Sequence, residues 1–197
     1  MSAAGQASRP NWEITFTTTT ADQTHALAVS LAGLLEAGDL LVLSGELGAG
    51  KTTFTQGLGE GLGVREGIIS PTFVLVRIHP NLPDGPRPGG PDLVHVDAYR
   101  LGSAAEIDDI DLENTMDSSV TVVEWGQDRV EHLSDSRLEI HLHRAVGLGA
   151  DRPADGLDFD TEDADEPRTI AMRGYGPRWP AAPELGAVEP GAPEGKS

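Results

Sequence analysis

The stretch Gly45-Glu46-Leu47-Gly48-Ala49-Gly50-Lys51-Thr52 follows the pattern G-x-x-x-x-G-K-[ST], and nothing else in the chain limits its fold as strongly. It leaves the run Leu40-Leu41-Val42-Leu43-Ser44, which has no polar alternation and so predicts a strand buried on both faces. It enters a segment where Phe54, Leu58 and Leu62 recur at i, i+4 and i+8. That spacing predicts a helix to about Leu62, weakened by Gly57, Gly59 and Gly61. Strand, glycine turn and helix in this order make a cradle for phosphate. The glycines let the backbone turn tightly with its N–H groups aimed inward, and the helix N-terminus adds partial positive charge. Lys51 would place an ammonium against the β and γ phosphates, and Thr52 would offer a hydroxyl to Mg²⁺. A glycine-rich turn with an incidental lysine is the competing reading, but the pattern arises by chance in well under roughly 1 in 100 chains of this length. Of the fourteen basic residues only Lys51 and Lys196 are lysines, and an arginine fork is too bulky and planar for a point-charge role in such a turn.

Mg²⁺ takes oxygen ligands in near-octahedral geometry, typically a hydroxyl, phosphate oxygens and one or two carboxylates. Two predicted strands end in an acid. Asp97 follows Leu93-Val94-His95-Val96, and Glu124 follows Val120-Thr121-Val122-Val123. Both would lie beyond the C-terminal edge of a parallel sheet, where α/β folds place ligands. Either acid can be the metal-associated one; a solvated strand end or a cap is the plainer use of such a residue. His95, His141 and His143 have strand-like spacing and read as half-buried sheet residues rather than ligands. Guanine-specific proteins of this kind carry a lysine that packs on the base. With Lys51 committed to phosphate and Lys196 near the chain end, ATP is favoured over GTP.

The remaining pattern predicts strands at residues 12–18, 73–78, 93–97, 120–124, 138–143 and 169–172. A helix is predicted after a capping box of Thr20 and Gln23, with Leu27, Leu31, Leu34 and Leu35 on one face before Gly38, and a short one at residues 104–112. The fold class is α/β, P-loop NTPase-like: a mixed, partly parallel sheet flanked by helices, with added antiparallel strands. One domain is expected over residues 12–176, after a flexible start at 1–11. The proline-rich stretch 79–92 and the acidic stretch 145–167 are expected as long loops, and 177–197 as a disordered tail. A formal charge of −18 disfavours tight, unaided nucleic-acid binding. The absence of cysteine fits a reducing compartment, and with no apolar run of membrane-spanning length the expectation is a cytoplasmic protein.

Four ordered motifs carry a family likeness: Gly45 to Thr53, then Ser70-Pro71-Thr72-Phe73, then Asp97-Ala98-Tyr99-Arg100-Leu101, then Val123-Glu124-Trp125. In this combination the chain resembles the TsaE (YjeE) family, bacterial P-loop ATPases required for the threonylcarbamoyl modification of adenosine in tRNA. The likeness covers about residues 13–144 and is weaker near Arg168 to Ala171. It implies that Gly45, Gly48, Ala49, Gly50, Lys51, Thr52, Thr53 and Thr72 bind ATP or ADP, and that Thr52 and Glu124 hold Mg²⁺. It further implies that Lys51, Asp97 and Glu124 serve catalysis, with Asp97 near the γ-phosphate, and that Ser70-Pro71-Thr72 acts as a switch. Trp125 matches a family tryptophan, though packing explains an aromatic there equally well. Ala98 and Phe73 depart from the commoner leucine and tyrosine. The implied partner is the TsaB–TsaD pair, which would make the RNA contact, with slow turnover by the chain alone; Arg100 or a partner group would offset transition-state charge. A small-molecule kinase and a nucleotide-gated adaptor without productive hydrolysis are the other functions compatible with the phosphate turn.

Overall fold

The computed structural model describes residues 9–71, 75–99, 101, 112–144 and 167–186. Seven strands form one sheet in the order β1-β7-β6-β2-β5-β4-β3. They are β1 (Trp12–Thr18), β2 (Leu40–Gly45), β3 (Val76–His79), β4 (Asp92–Asp97), β5 (Ser119–Glu124), β6 (Arg137–Arg144) and β7 (Arg168–Tyr175). β2 runs parallel to β5 and β6, and β4 parallel to β5. β3 is antiparallel to β4, and β7 is antiparallel to both β6 and β1. The fold is thus P-loop NTPase-like: four parallel strands at the centre, with antiparallel additions at both edges.

β2 is buried on both faces, as its unbroken apolar run requires. Leu41 and Leu43 enter the core shared with α1 (Ala21–Ala32) and α2 (Lys51–Leu62), while Leu40 and Val42 enter a second core with Val94, Val96, Val123 and Met116. Met116 lies on the one-turn helix α3 (Glu113–Met116). α1 begins at Thr20, whose hydroxyl accepts from the Gln23 amide at 3.2 Å. The Gln23 side chain reaches back one residue further than a standard capping box, to the Thr19 amide at 2.8 Å. The helix stops at Ala32 rather than continuing toward Gly38. After it the bonds tighten to Leu34 N–H to Leu31 and Leu35 N–H to Ala32, and Asp39 captures the Glu36 amide at 2.8 Å.

The glycines of α2 are explained by its partner. A Cβ at Gly57 would lie 2.4 Å from the His25 carbonyl oxygen and 2.8 Å from Ala28 Cβ; one at Gly61 would lie 2.6 Å from Ala32 Cβ. Spaced four residues apart, they let α2 lie directly against the small-residue side of α1. Phe54, Leu58 and Leu62, fully buried, supply the apolar contact at about 1.5–3 kcal/mol each.

The segment between β3 and β4 is tied down. Asn81 donates to the carbonyls of Leu62 at 2.9 Å and Arg87 at 3.0 Å, and Arg87 reaches the Ala32 carbonyl at 3.1 Å. Residues 177–186, expected to lack order, are instead packed: Trp179 and Leu185 join the α1–α2 core. Trp12 Nε1 and Asn11 Nδ2 donate to the Trp179 carbonyl, and Arg178 pairs with Asp39 at 3.0 Å. Two isolated apolar anchors leave no periodic trace, which is why a pattern-based reading misses them. Residues 104–111 of the predicted helix, the first residues of the strand at 73–78 and most of the acidic loop lie outside the described residues.

Replacing Gly57 with alanine raises helix propensity by about 1 kcal/mol yet forces the two helices apart; the net expectation is a loss of about 1–3 kcal/mol, read as a lower urea midpoint. Gly38 has a φ of +96° and nothing within 4 Å of where a Cβ would lie, so the same change there tests backbone strain alone and is expected to cost less.

Candidate functional site

The glycine turn links the C-terminal end of β2 to the first residue of α2. Gly45 must lack a side chain because a Cβ would lie 2.5 Å from the Leu142 carbonyl oxygen on β6. Gly48 and Gly50 have φ of +77° and +100°, left-handed values that an L side chain resists. Gly50 is the residue from which α2 starts, and Ala49 is fully buried beneath the turn. The Glu46 carboxylate accepts from the Arg144 amide at 2.6 Å, pinning the rim of the turn to the end of β6.

Lys51 is 8 % exposed. Its ammonium folds back over the turn, donating to the carbonyls of Gly45 at 2.8 Å and Glu46 at 3.1 Å, and lies 4.7 Å from the centre of the Trp125 ring. Burial pushes its pKa below the ordinary lysine value, opposed by the nearby charges of Glu124, Glu46 and Asp97. Thr52 and Thr53 follow on the first turn of α2, both half-buried.

The two acids expected at strand ends are brought together. Asp97 and Glu124 are direct register partners on β4 and β5, and Glu124 is level with Leu43 on β2, just before the turn. Both are buried. Asp97 Oδ1 accepts from the Tyr99 amide at 2.9 Å, and Glu124 Oε1 meets His95 Nε2 at 2.7 Å. His95 is the residue whose role sequence reasoning misses: it is fully buried rather than half-buried and positions the Glu124 carboxylate. Its position two residues before Asp97 on β4 is visible in the sequence; its pairing with an acid 29 residues away is not. Trp125 has φ of +61°, and its ring meets Tyr99 edge-on at 5.5 Å while facing Lys51. Of the expected switch, Ser70 and Pro71 are described and Thr72 lies outside the described residues, as does Arg100. The Leu75 amide donates to the Pro71 carbonyl, and the Leu75 carbonyl accepts from the Asp97 amide, so this segment is tied to the end of β4.

These residues fit a magnesium nucleotide. The turn is a cradle that side chains at Gly45, Gly48 and Gly50 would distort, and it stands at a helix N-terminus with a buried ammonium. The His95 bond occupies one oxygen of Glu124, and among the described residues no group of three or more His, Cys, Asp or Glu could hold a metal unaided. A metal here would draw most of its ligands from phosphate and water, as Mg²⁺ does. A groove of about 450 Å³ lined by Leu34, Arg87, Arg178 and Trp179 lies near the N-terminal end of β2, away from the glycine turn at its other end, and takes no part in this arrangement.

A buried parallel strand running through a glycine turn into a helix, with two acids at the ends of neighbouring strands, places the chain among α/β proteins of the P-loop NTPase-like class. Within it, residues 18–150 match the family model described as threonylcarbamoyl adenosine biosynthesis protein TsaE. The chain is 54% identical over 153 residues to the protein of that name from Streptomyces coelicolor, covering 77% of this chain and 90% of the relative. It is 38% identical over 134 residues to that of Bacillus subtilis, covering 68% and 79%. The crystal structure of Bacillus subtilis YdiB superposes with a TM-score of 0.60 at 30% identity, covering 85% of this chain and 89% of that one. The chain belongs to the TsaE family.

The lowered pKa of Lys51 has a sign. Between the folded and the ordinary lysine pKa the unfolded chain holds the extra proton, so this group adds stability as pH rises through that interval and withdraws it as pH falls. Urea unfolding of the nucleotide-free protein from about pH 7 to about pH 10.5, compared with Lys51→Met, is expected to show this rise in the wild type and a flatter profile in the variant.

Proposed function

We propose that the chain is a Mg²⁺-dependent ATPase of the cytoplasm that acts with the TsaB–TsaD complex in forming N6-threonylcarbamoyladenosine in tRNA. One observation carries the reading: a buried lysine in a glycine turn at a helix N-terminus, faced by two buried acids in register on adjacent strands. The family and the names of its relatives support the pathway.

In this reading Gly45, Gly48, Ala49 and Gly50 shape the loop whose amides, with those of Lys51, Thr52 and Thr53, hold the phosphates. Lys51 exchanges its hydrogen bonds to the loop carbonyls for β and γ phosphate oxygens. Thr52 and Glu124 would hold Mg²⁺, which supplies charge neutralisation across the β and γ phosphates. His95 fixes the Glu124 rotamer through a hydrogen bond shielded from water. Asp97, held by the Tyr99 amide, stands beside Glu124 where it can orient the attacking water. Thr72 would sense the γ-phosphate, and the Leu75 link between Pro71 and Asp97 gives that signal a route to the acids. Hydrolysis by the isolated chain is expected to be slow, with TsaB–TsaD completing the site. A net charge of −18 suits a protein that leaves the tRNA contact to partners.

Reconstituted tRNA modification over several turnovers tests this. Wild type is expected to sustain product formation and Lys51→Ala to lose it; equal product from both overturns the reading. Glu124→Gln is expected to bind MgATP while hydrolysis falls at least about 100-fold, as for the loss of a group acting mainly on the transition state. Full modification by that variant would identify a nucleotide-gated adaptor instead. Because only Trp125 among the three tryptophans adjoins Lys51, nucleotide binding is expected to change intrinsic fluorescence in wild type and not in Trp125→Phe.

A further inference from the structure

Arg168 has no place in the account above, and its surroundings are unusual for an arginine. It opens β7 and is 6 % exposed, on the same buried face as Ile170 and Met172, which belong to the α1–α2 core. Its neighbours in register are Thr18 on β1 and Arg144 on β6. Its side chain runs to the start of α2: a Cβ on Gly50 would lie 3.5 Å from both Cδ and Nε of Arg168. The buried Nε has no hydrogen-bond partner among the described residues, and no carboxylate among them pairs with the guanidinium.

Taken alone this placement is unfavourable. A cation withdrawn from water needs a counter-charge, and here the guanidinium stem lies against the positive pole of α2, with Lys51 on the same turn. An anion lodged in the turn reverses each of these penalties at once. The sheet order also says which part of a nucleotide would be met. Glu124 and Asp97 stand on β5 and β4, to one side of β2; Arg168 and Arg144 stand on β7 and β6, to the other. A metal bridges β and γ phosphates, so the acid side takes the terminal end of the triphosphate and the nucleoside leaves past the arginine side.

We propose that Arg168 is a nucleotide-binding residue that grips the α-phosphate, at the end of the nucleotide opposite the one held by Lys51, Thr52 and Glu124. This rests on the nucleotide reading of the site given above. Arg144, whose Nη1 lies 3.5 Å from a Cβ on Gly48, borders the same end from the rim.

Calorimetric titration of the full chain with MgADP, MgATP and magnesium pyrophosphate tests it. Arg168→Gln is expected to weaken MgADP and MgATP by the same factor, about 10- to 100-fold for a lost hydrogen bond between charged groups. Pyrophosphate, which lacks the α-phosphate when seated at the metal end, is expected to lose less than about twofold, and Arg168→Lys to fall between wild type and Arg168→Gln. Unchanged ADP affinity in Arg168→Gln overturns the proposal, as does a loss much larger for ATP than for ADP, or an equal loss for pyrophosphate. Wild type that binds none of the three overturns the nucleotide reading itself. Should the variants not fold, the Arg168 Nε–H resonance of the wild type decides: a shift with MgADP that pyrophosphate does not reproduce is expected, and no shift with MgADP refutes the assignment.

Discussion

A hydrogen is all that can stand between the Gly45 backbone and the Leu142 carbonyl oxygen, since a Cβ would come within 2.5 Å of it. That close approach fixes where β2 ends against β6 and therefore where the turn begins. From there the left-handed residues Gly48 and Gly50 bring the chain round to α2, and Lys51 falls back across the turn onto the Gly45 and Glu46 carbonyls. The parallel pairing of β2 with β5 then decides which acid faces the ammonium, because Leu43 and Glu124 are level. Everything at the site is a consequence of strand register referred to that one glycine.

Electrostatics within the site run against the character of the whole chain. The molecule carries a formal −18, yet its glycine turn gathers Lys51, the positive pole of α2 and Arg168 into one partly dehydrated region. Burial alone lowers the Lys51 pKa, and the opposing acids restore part of it. Such a region is costly in isolation and attractive to a compact polyanion. The acids opposite are constrained in the same spirit, Glu124 by a fully buried histidine and Asp97 by a backbone amide.

What can be read from sequence is what depends on neighbours in the chain. The turn pattern, the unbroken apolar run of β2, the i, i+4, i+8 spacing of α2 and an acid at the end of each of two strands are local signals, and each corresponds to a structural element. His95 as the partner of Glu124, and Arg168 beside Gly50, depend on register between strands distant in sequence, so single-sequence patterning has no access to them. α1 ends earlier than its leucines suggest because Asp39, seven residues after Ala32, captures the Glu36 amide. Trp179 is ordered because Trp12 and Asn11, more than 160 residues earlier, donate to its carbonyl. The glycines of α2 read as a weakness in the helix and turn out to be its contact surface with α1.

The pairing of β1 with β7 has a consequence for assembly. Among the described residues β1 lies at the edge of the sheet and pairs with β7 alone, so this early strand has no place until one more than 150 residues later has been made. The two halves of the glycine turn's surroundings mature at different times: β2, β4 and β5 can zip together from a partial chain, whereas the wall bearing Arg168 closes only when synthesis has passed Tyr175. A partial chain would therefore form the side of the turn that carries Lys51, Asp97 and Glu124 before the Arg168 side exists, and only the arrival of β7 brings the two into one enclosure.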